Sequence, residues 1–149
     1  MIEIDDRWFA AEGKDDGFPV LIRGRGHLGH LVGVKSHPNI LRITWDYVPD
    51  ENSGMPERDI IKSMATFEEA IFTVLEKDAL CIFYKIFLHN GVKEWSAYCS
   101  DIALLQEQIN KALFGHEQYP IEMVIENDVE WKDYLDLLKN TGQSVNKPS

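Results

Sequence analysis

Asn90-Gly91 stands between two apolar runs, Leu80 to Leu88 and Val92 to Cys99, and no other feature limits the fold as strongly. Asn-Gly supplies the two left-handed residues that a tight hairpin turn needs. A two-residue turn here sets Ile86 opposite Trp95, Tyr84 opposite Ala97 and Ile82 opposite Cys99. These pairs are apolar or aromatic, so their face belongs beneath helices. The other face then pairs Phe83 with Tyr98, Lys85 with Ser96 and Phe87 with Glu94. Aromatics mixed with charge are unlike a plain solvated surface. Either the N-terminal segment covers that face, or it is an interaction surface.

The flanking sequence supplies the rest of a sheet and its helices. Ile40 to Val48 alternates, with Leu41, Ile43, Trp45 and Tyr47 on one side, as a half-buried strand does. From Glu57 to Lys77 the period lengthens, and Ile60, Met64, Phe67, Ile71 and Val74 form one helical stripe. Asp101 is a natural N-cap for a second helix that Gly115 ends. Pro120 to Glu126 reads as a strand, and Val129 to Lys139 as a helix facing inward through Trp131, Leu135 and Leu138. Arg7 to Glu12 and Phe18 to Arg25 read as two further strands around a Gly13–Gly17 turn.

Residues 40–126 therefore follow the order β-α-β-β-α-β. That is the split βαβ, or ferredoxin-like, arrangement: one antiparallel sheet with two helices on one face. The expectation is a single α+β domain over residues 1–140, with two extra N-terminal strands that extend or cover the sheet. A C-terminal helix and a disordered tail over 141–149 complete it. At 149 residues the chain can bury a core of its own.

Charge and composition narrow the function. With 25 acids against 15 bases, the net charge of −10 repels phosphate backbones, so nucleic acid is not an expected partner. Acidity serves solubility first and attraction to a basic partner protein second. No apolar run reaches the ~20 residues of a membrane span, and the acidic N-terminus is unlike a signal peptide. A cytoplasmic protein is expected, with no membrane partner. Cys81 and Cys99 are too few for a disulfide framework, lie in strand-like runs and are read as free thiols.

Several motifs invite chemistry. Gly24-Arg-Gly-His-Leu-Gly29 matches the dinucleotide-binding pattern, and Asp46 stands about twenty residues on. The segment from His30 to Pro38, with Gly33, two valines and a proline, is a poor candidate for the helix that the third glycine must open. His27, His30 and His37 cluster in a loop without a rigid scaffold, so neither a metal nor a cofactor is expected. Arg23, Arg25, His27 and His30 form a candidate anion or ligand loop. With Asp46 they define the alternative to a binding protein, a small hydrolase or anion-binding enzyme. No nucleophile elbow is present, and Cys99 has no setting that would make a thiolate, so no catalytic residue is assigned.

Gly54-Met55-Pro56, Glu68 or Glu69, Gly91-Val92-Lys93-Glu94 with Tyr98, Asp101 and Asp128-x-x-Trp131-x-x-Tyr134 together resemble a bacterial family, domain of unknown function 695. Trp8 and Pro38…Trp45-x-Tyr47 are similar too, whereas Lys93 stands where the family more often has arginine. The resemblance implies a ferredoxin-like domain, sometimes beside a domain similar to regulator of ribonuclease activity B, and an inhibitor-like or partner-binding role. The leading expectation is a non-catalytic module that binds a protein, as an inhibitor, an immunity-like regulator or an assembly unit, or pairs as a homodimer. Its candidate contacts are Phe83, Phe87, Glu94 and Tyr98.

Overall fold

The computed structural model describes residues 2–144. A hairpin of β1 (Trp8–Asp15) and β2 (Phe18–Arg25) is followed by a loop holding one 3-10 turn, Gly29–Leu31. Then come β3 (Asn39–Asp46), α1 (Arg58–Leu75), β4 (Cys81–His89), β5 (Val92–Cys99), α2 (Ile102–Leu113), β6 (Ile121–Asn127) and α3 (Lys132–Asn140). The strands make one six-stranded sheet in the order β1-β2-β4-β5-β3-β6, all neighbours antiparallel. The expected β-α-β-β-α-β run occupies one end of it as β4-β5-β3-β6, and the N-terminal hairpin extends it by pairing β2 with β4. No helix among the described residues is long and apolar enough to cross a membrane.

Asn90 and Gly91 form the two-residue turn, with φ of 30° and 110°, and His89 faces Val92. From the turn inward the expected register holds as far as Lys85 opposite Ser96. It then breaks. The next pair is Phe83 with Ala97, and Tyr84 has no partner on β5. A β-bulge of this kind inserts one extra residue and reverses which face every later side chain meets. Beyond it, Ile82 faces Tyr98 and Cys81 faces Cys99, correcting the pairs expected for Tyr84 and Ile82.

The bulge sorts the aromatic residues between two cores. On the α1 and α2 face, Phe67, Ile71 and Leu105 pack over Leu41, Trp45, Phe83, Ile86 and Trp95. Phe83 stacks on Phe72 of α1 with ring centres 4.2 Å apart. Asp101 caps α2 as expected, accepting the Leu104 N–H at 3.0 Å, an interaction that contributes about 1 kcal/mol. On the opposite face lie Ile40, Ile82, Tyr84 and Tyr98, and they are not open. Leu28 and Leu31 from the loop after β2, with Trp131, Tyr134, Leu137 and Leu138, cover them. The N-terminal residues Ile2, Ile4 and Phe9 only flank this second core. Ile82 and Tyr84, expected beneath α1 and α2, therefore belong to the α3 side.

Trp131 precedes α3 rather than lying within it, in the left-handed region at φ 60°. Leu135, expected inward, is half-buried, and Tyr134 and Leu137 take the inner face instead. Of the expected tail, residues 141–144 are described and turn back on α3, the Gln143 N–H donating to the Leu138 carbonyl at 2.8 Å. Residues 145–149 lie outside the described residues. Both thiols are free and buried on facing strands, and burial pushes that of Cys99 up to about 11.

The bulge separates two residues that uninterrupted alternation would treat alike. Phe83→Ala should cost about 3–5 kcal/mol in a denaturant titration, as full core truncation does, and Phe87→Ala much less. Equal losses would place both side chains on one face and remove the bulge.

Candidate functional site

Polar groups gather where the bulge disturbs the sheet. Pairing of β2 with β4 ends at Gly24 and Lys85, one residue before Arg25. The buried Arg25 side chain then turns to the backbone, donating to the Phe83 carbonyl at 3.0 Å. It also forms a forked ion pair with Glu76, one arm at 2.9 Å, and donates to Asp6 at 2.7 Å. Glu76 accepts the Phe83 N–H at 3.0 Å. One ion pair thus satisfies both backbone groups of the residue beside the bulge, as buried polar groups require. Trp8 lies over the Arg25 guanidinium with its ring centre 4.8 Å away.

On the α3 side the bulge turns Tyr84 and Lys85 toward one carboxylate. The Tyr84 hydroxyl donates to Asp133 at 2.6 Å and the Lys85 ammonium at 3.1 Å. Arg42 stands 3.5 Å from the same oxygen and also pairs with Glu94 and Glu126. Burial alone would push the Asp133 carboxyl up, but these donors and cations outweigh it and hold it below the usual range. Burial, and then the Asp133 charge, push the Tyr84 phenol up. Two cations, Arg42 and Lys85, are thus shared among three carboxylates, Asp133, Glu94 and Glu126.

The residues that carried the family resemblance hold α3 down. Tyr98 donates to Asp128 at 2.7 Å, and Asp128 accepts the N–H groups of Lys132 and Asp133, both at 2.9 Å. Trp131 stacks on Tyr98 with ring centres 4.0 Å apart and donates to the His37 carbonyl at 3.0 Å. The Tyr134 hydroxyl donates to the Arg25 carbonyl at 2.7 Å and accepts the Leu28 N–H. In the other core, Glu68 accepts the Trp95 indole N–H at 2.9 Å and Lys93 lies over that ring.

The candidates read from the sequence separate. Phe83 and Tyr98 are both fully buried and cannot meet a partner, which corrects their assignment to an open face. Phe87 and Glu94 are half-buried. Arg25 belongs to the ion pair described above, Arg23 is exposed over Trp8, His27 is half-buried, and His30 donates to the Glu3 carbonyl at 2.9 Å. Asp46 lies level with Val20 through three strand pairings, about 17 Å along the strands from Arg25. The loop is not joined to Asp46 as a hydrolase site would need. Gly24 serves packing: an added Cβ would come within 2.5 Å of the Phe9 ring that lies across it. His37 is buried with Nε2 donating to the Ala79 carbonyl at 2.6 Å.

The open feature lies at the other end of the sheet. Between α2 and β6 runs a groove of about 320 Å³, lined by Leu41, Ile102, Leu105, Ile109, Met123 and Ile125. Ile102 and Ile125 are 46% and 39% exposed, and Val124, on the opposite face of β6, is 54% exposed. Sequence reading passed over this surface because each piece looked like ordinary core. The signals were Val124, which breaks the alternation of Ile121-Glu-Met-Val-Ile, and Leu104 beside Leu105, one apolar residue more than a single buried stripe needs.

The sequence model of a family of unknown function (DUF695) matches residues 6–139, and the chain belongs to that family. No curated protein and no solved structure matches it.

Two measurements test these placements. Arg25→Ala leaves Glu76 and the Phe83 carbonyl without their partner, and should destabilise by about 3–5 kcal/mol, as breaking a buried pair does. His30→Ala should change stability little; a folded Arg25→Ala protein of unchanged stability would return Arg25 to the ligand loop. Asp133 has a depressed folded-state pKa, so its charge stabilises above the unfolded value of about 3.9 and that contribution fades as pH falls further. Asp133→Asn should therefore be less stable than the parent near neutral pH, with the gap closing below about pH 4. A gap independent of pH would contradict this.

Proposed function

We propose that this chain is a cytoplasmic, ferredoxin-like module that binds another protein and catalyses no reaction itself, in the manner of an inhibitor or immunity-like regulator. The strand order β4-β5-β3-β6 with α1 and α2 on one face supports the ferredoxin-like description. One observation carries the binding role. The α2–β6 groove keeps Ile102 and Ile125 substantially exposed, and Val124 is exposed on the other face of the same edge strand, whereas the middle of the sheet is covered on both faces. Apolar side chains rimmed by polar ones are the usual makeup of a docking surface. A net charge of −10 favours a basic partner and speeds its encounter.

The hydrolase alternative loses its support with Arg25 tied to Glu76 and Asp46 distant from the histidine loop. The proposed role is tested by selecting binders from a displayed library of random peptides against the folded protein. Enriched sequences should carry net positive charge, and their binding should weaken as salt is raised. A library that yields no binders, or only acidic ones, would overturn the reading.

A further inference from the structure

β6 ends the sheet. Among the described residues it pairs with β3 along its length and with no other strand. Its outer N–H and C=O groups therefore present a ladder edge to which an extended chain can add. The two faces of that edge differ. Met123 and Ile125 lie opposite Ile43 and Leu41, on the side of the α2 groove. Glu122, Val124 and Glu126 lie opposite Thr44, Arg42 and Ile40, on the α3 side. There Glu126, paired with Arg42, borders a second groove of about 320 Å³ in which Asp128, Asp133 and Asp136 outnumber Arg42 and Lys132.

We propose, on the reading of the chain as a protein-binding module, that β6 accepts a segment of a basic partner protein as a seventh strand. The segment reads basic–apolar–any–apolar–basic. Residues opposite Met123 and Ile125 continue the apolar row beside α2. The residue opposite Glu122 meets an exposed carboxylate and the one opposite Glu126 a carboxylate that it shares with Arg42, and cross-strand pairs of opposite charge stabilise a sheet. The pattern is symmetric and suits either strand direction. A second copy of this chain is a poorer occupant. Antiparallel self-pairing centred on Val124 sets Glu122 against Glu126 of the other copy, and like charges directly opposite destabilise. Each copy also carries −10.

The test is a titration of the ¹⁵N-labelled full chain with a short synthetic peptide centred on Lys-Val-Thr-Val-Lys. The control has the same composition rearranged to Lys-Lys-Thr-Val-Val. Amide shifts should concentrate on β6 and the facing side of α2, and exchange of the outer β6 amides should slow. The rearranged peptide should bind about tenfold more weakly or worse, because alternation places its side chains on the wrong faces. Ile125→Arg and Glu122→Lys, both at exposed positions, should keep the free spectrum and each weaken binding by about tenfold. Shifts mapping to another surface, or no binding by the peptide, would overturn strand addition. The library selection would still decide separately whether the chain binds peptides at all. Concentration-dependent self-association that protects β6 in the free protein would assign the edge to a second copy and also overturn the proposal.

Discussion

Tyr84 is one residue too many for the strand it faces, and most of the molecule is arranged around that excess. A bulge leaves backbone groups off the ladder, which carries a desolvation cost unless something binds them. Glu76 at the end of α1 and Arg25 at the end of β2 do so, gripping the N–H and carbonyl of Phe83. A helix, an added hairpin and the central strand are thereby joined by one buried ion pair. The same bulge turns Phe83 inward against α1 and sends Tyr84 and Lys85 together to Asp133 on α3.

A second core follows from this. With Tyr84 and Tyr98 stacked on the face away from α1 and α2, that face needs a cover, and α3 provides it. Asp128 serves Tyr98 and the first amides of α3 at once, while Trp131 and Tyr134 reach back to the loop before β3 and to β2. Each aromatic pair adds about 0.5–1.5 kcal/mol beyond its buried area. The residues that carry the family resemblance are in this way explained by packing and hydrogen bonding. They direct attention away from the centre of the sheet and toward its β6 edge.

Much of this was legible in the residues themselves. Asn90-Gly91 announced the hairpin, the change from period two to 3.6 placed the helices, and their order led to β6 beside β3. Asp101 as the cap of α2 was readable too. The bulge was not. Phe83, Lys85 and Phe87 alternate with Ile82, Tyr84 and Ile86 without a glycine or proline to mark a break, and either register buries apolar groups. That single slip exchanged the faces of Phe83 and Tyr84 and so removed Phe83 from the candidate docking face, whereas Tyr98 kept its expected face and is buried there beneath Trp131 and Tyr134. The β6 edge was hidden for another reason. Whether Ile125 and Ile102 are core or surface depends on which strand is outermost, a property of the assembled sheet rather than of any local pattern.

The bulge is also the most direct point of test for the whole account, since both cores and the closing of the α3 face depend on it. Cross-strand nuclear Overhauser contacts between β4 and β5 read it without any mutation. The account predicts Phe83 adjacent to Ala97 and Ile82 adjacent to Tyr98, with Tyr84 unpaired. Tyr84 adjacent to Ala97 and Ile82 to Cys99 would restore an unbroken register. That result would contradict the two-core arrangement.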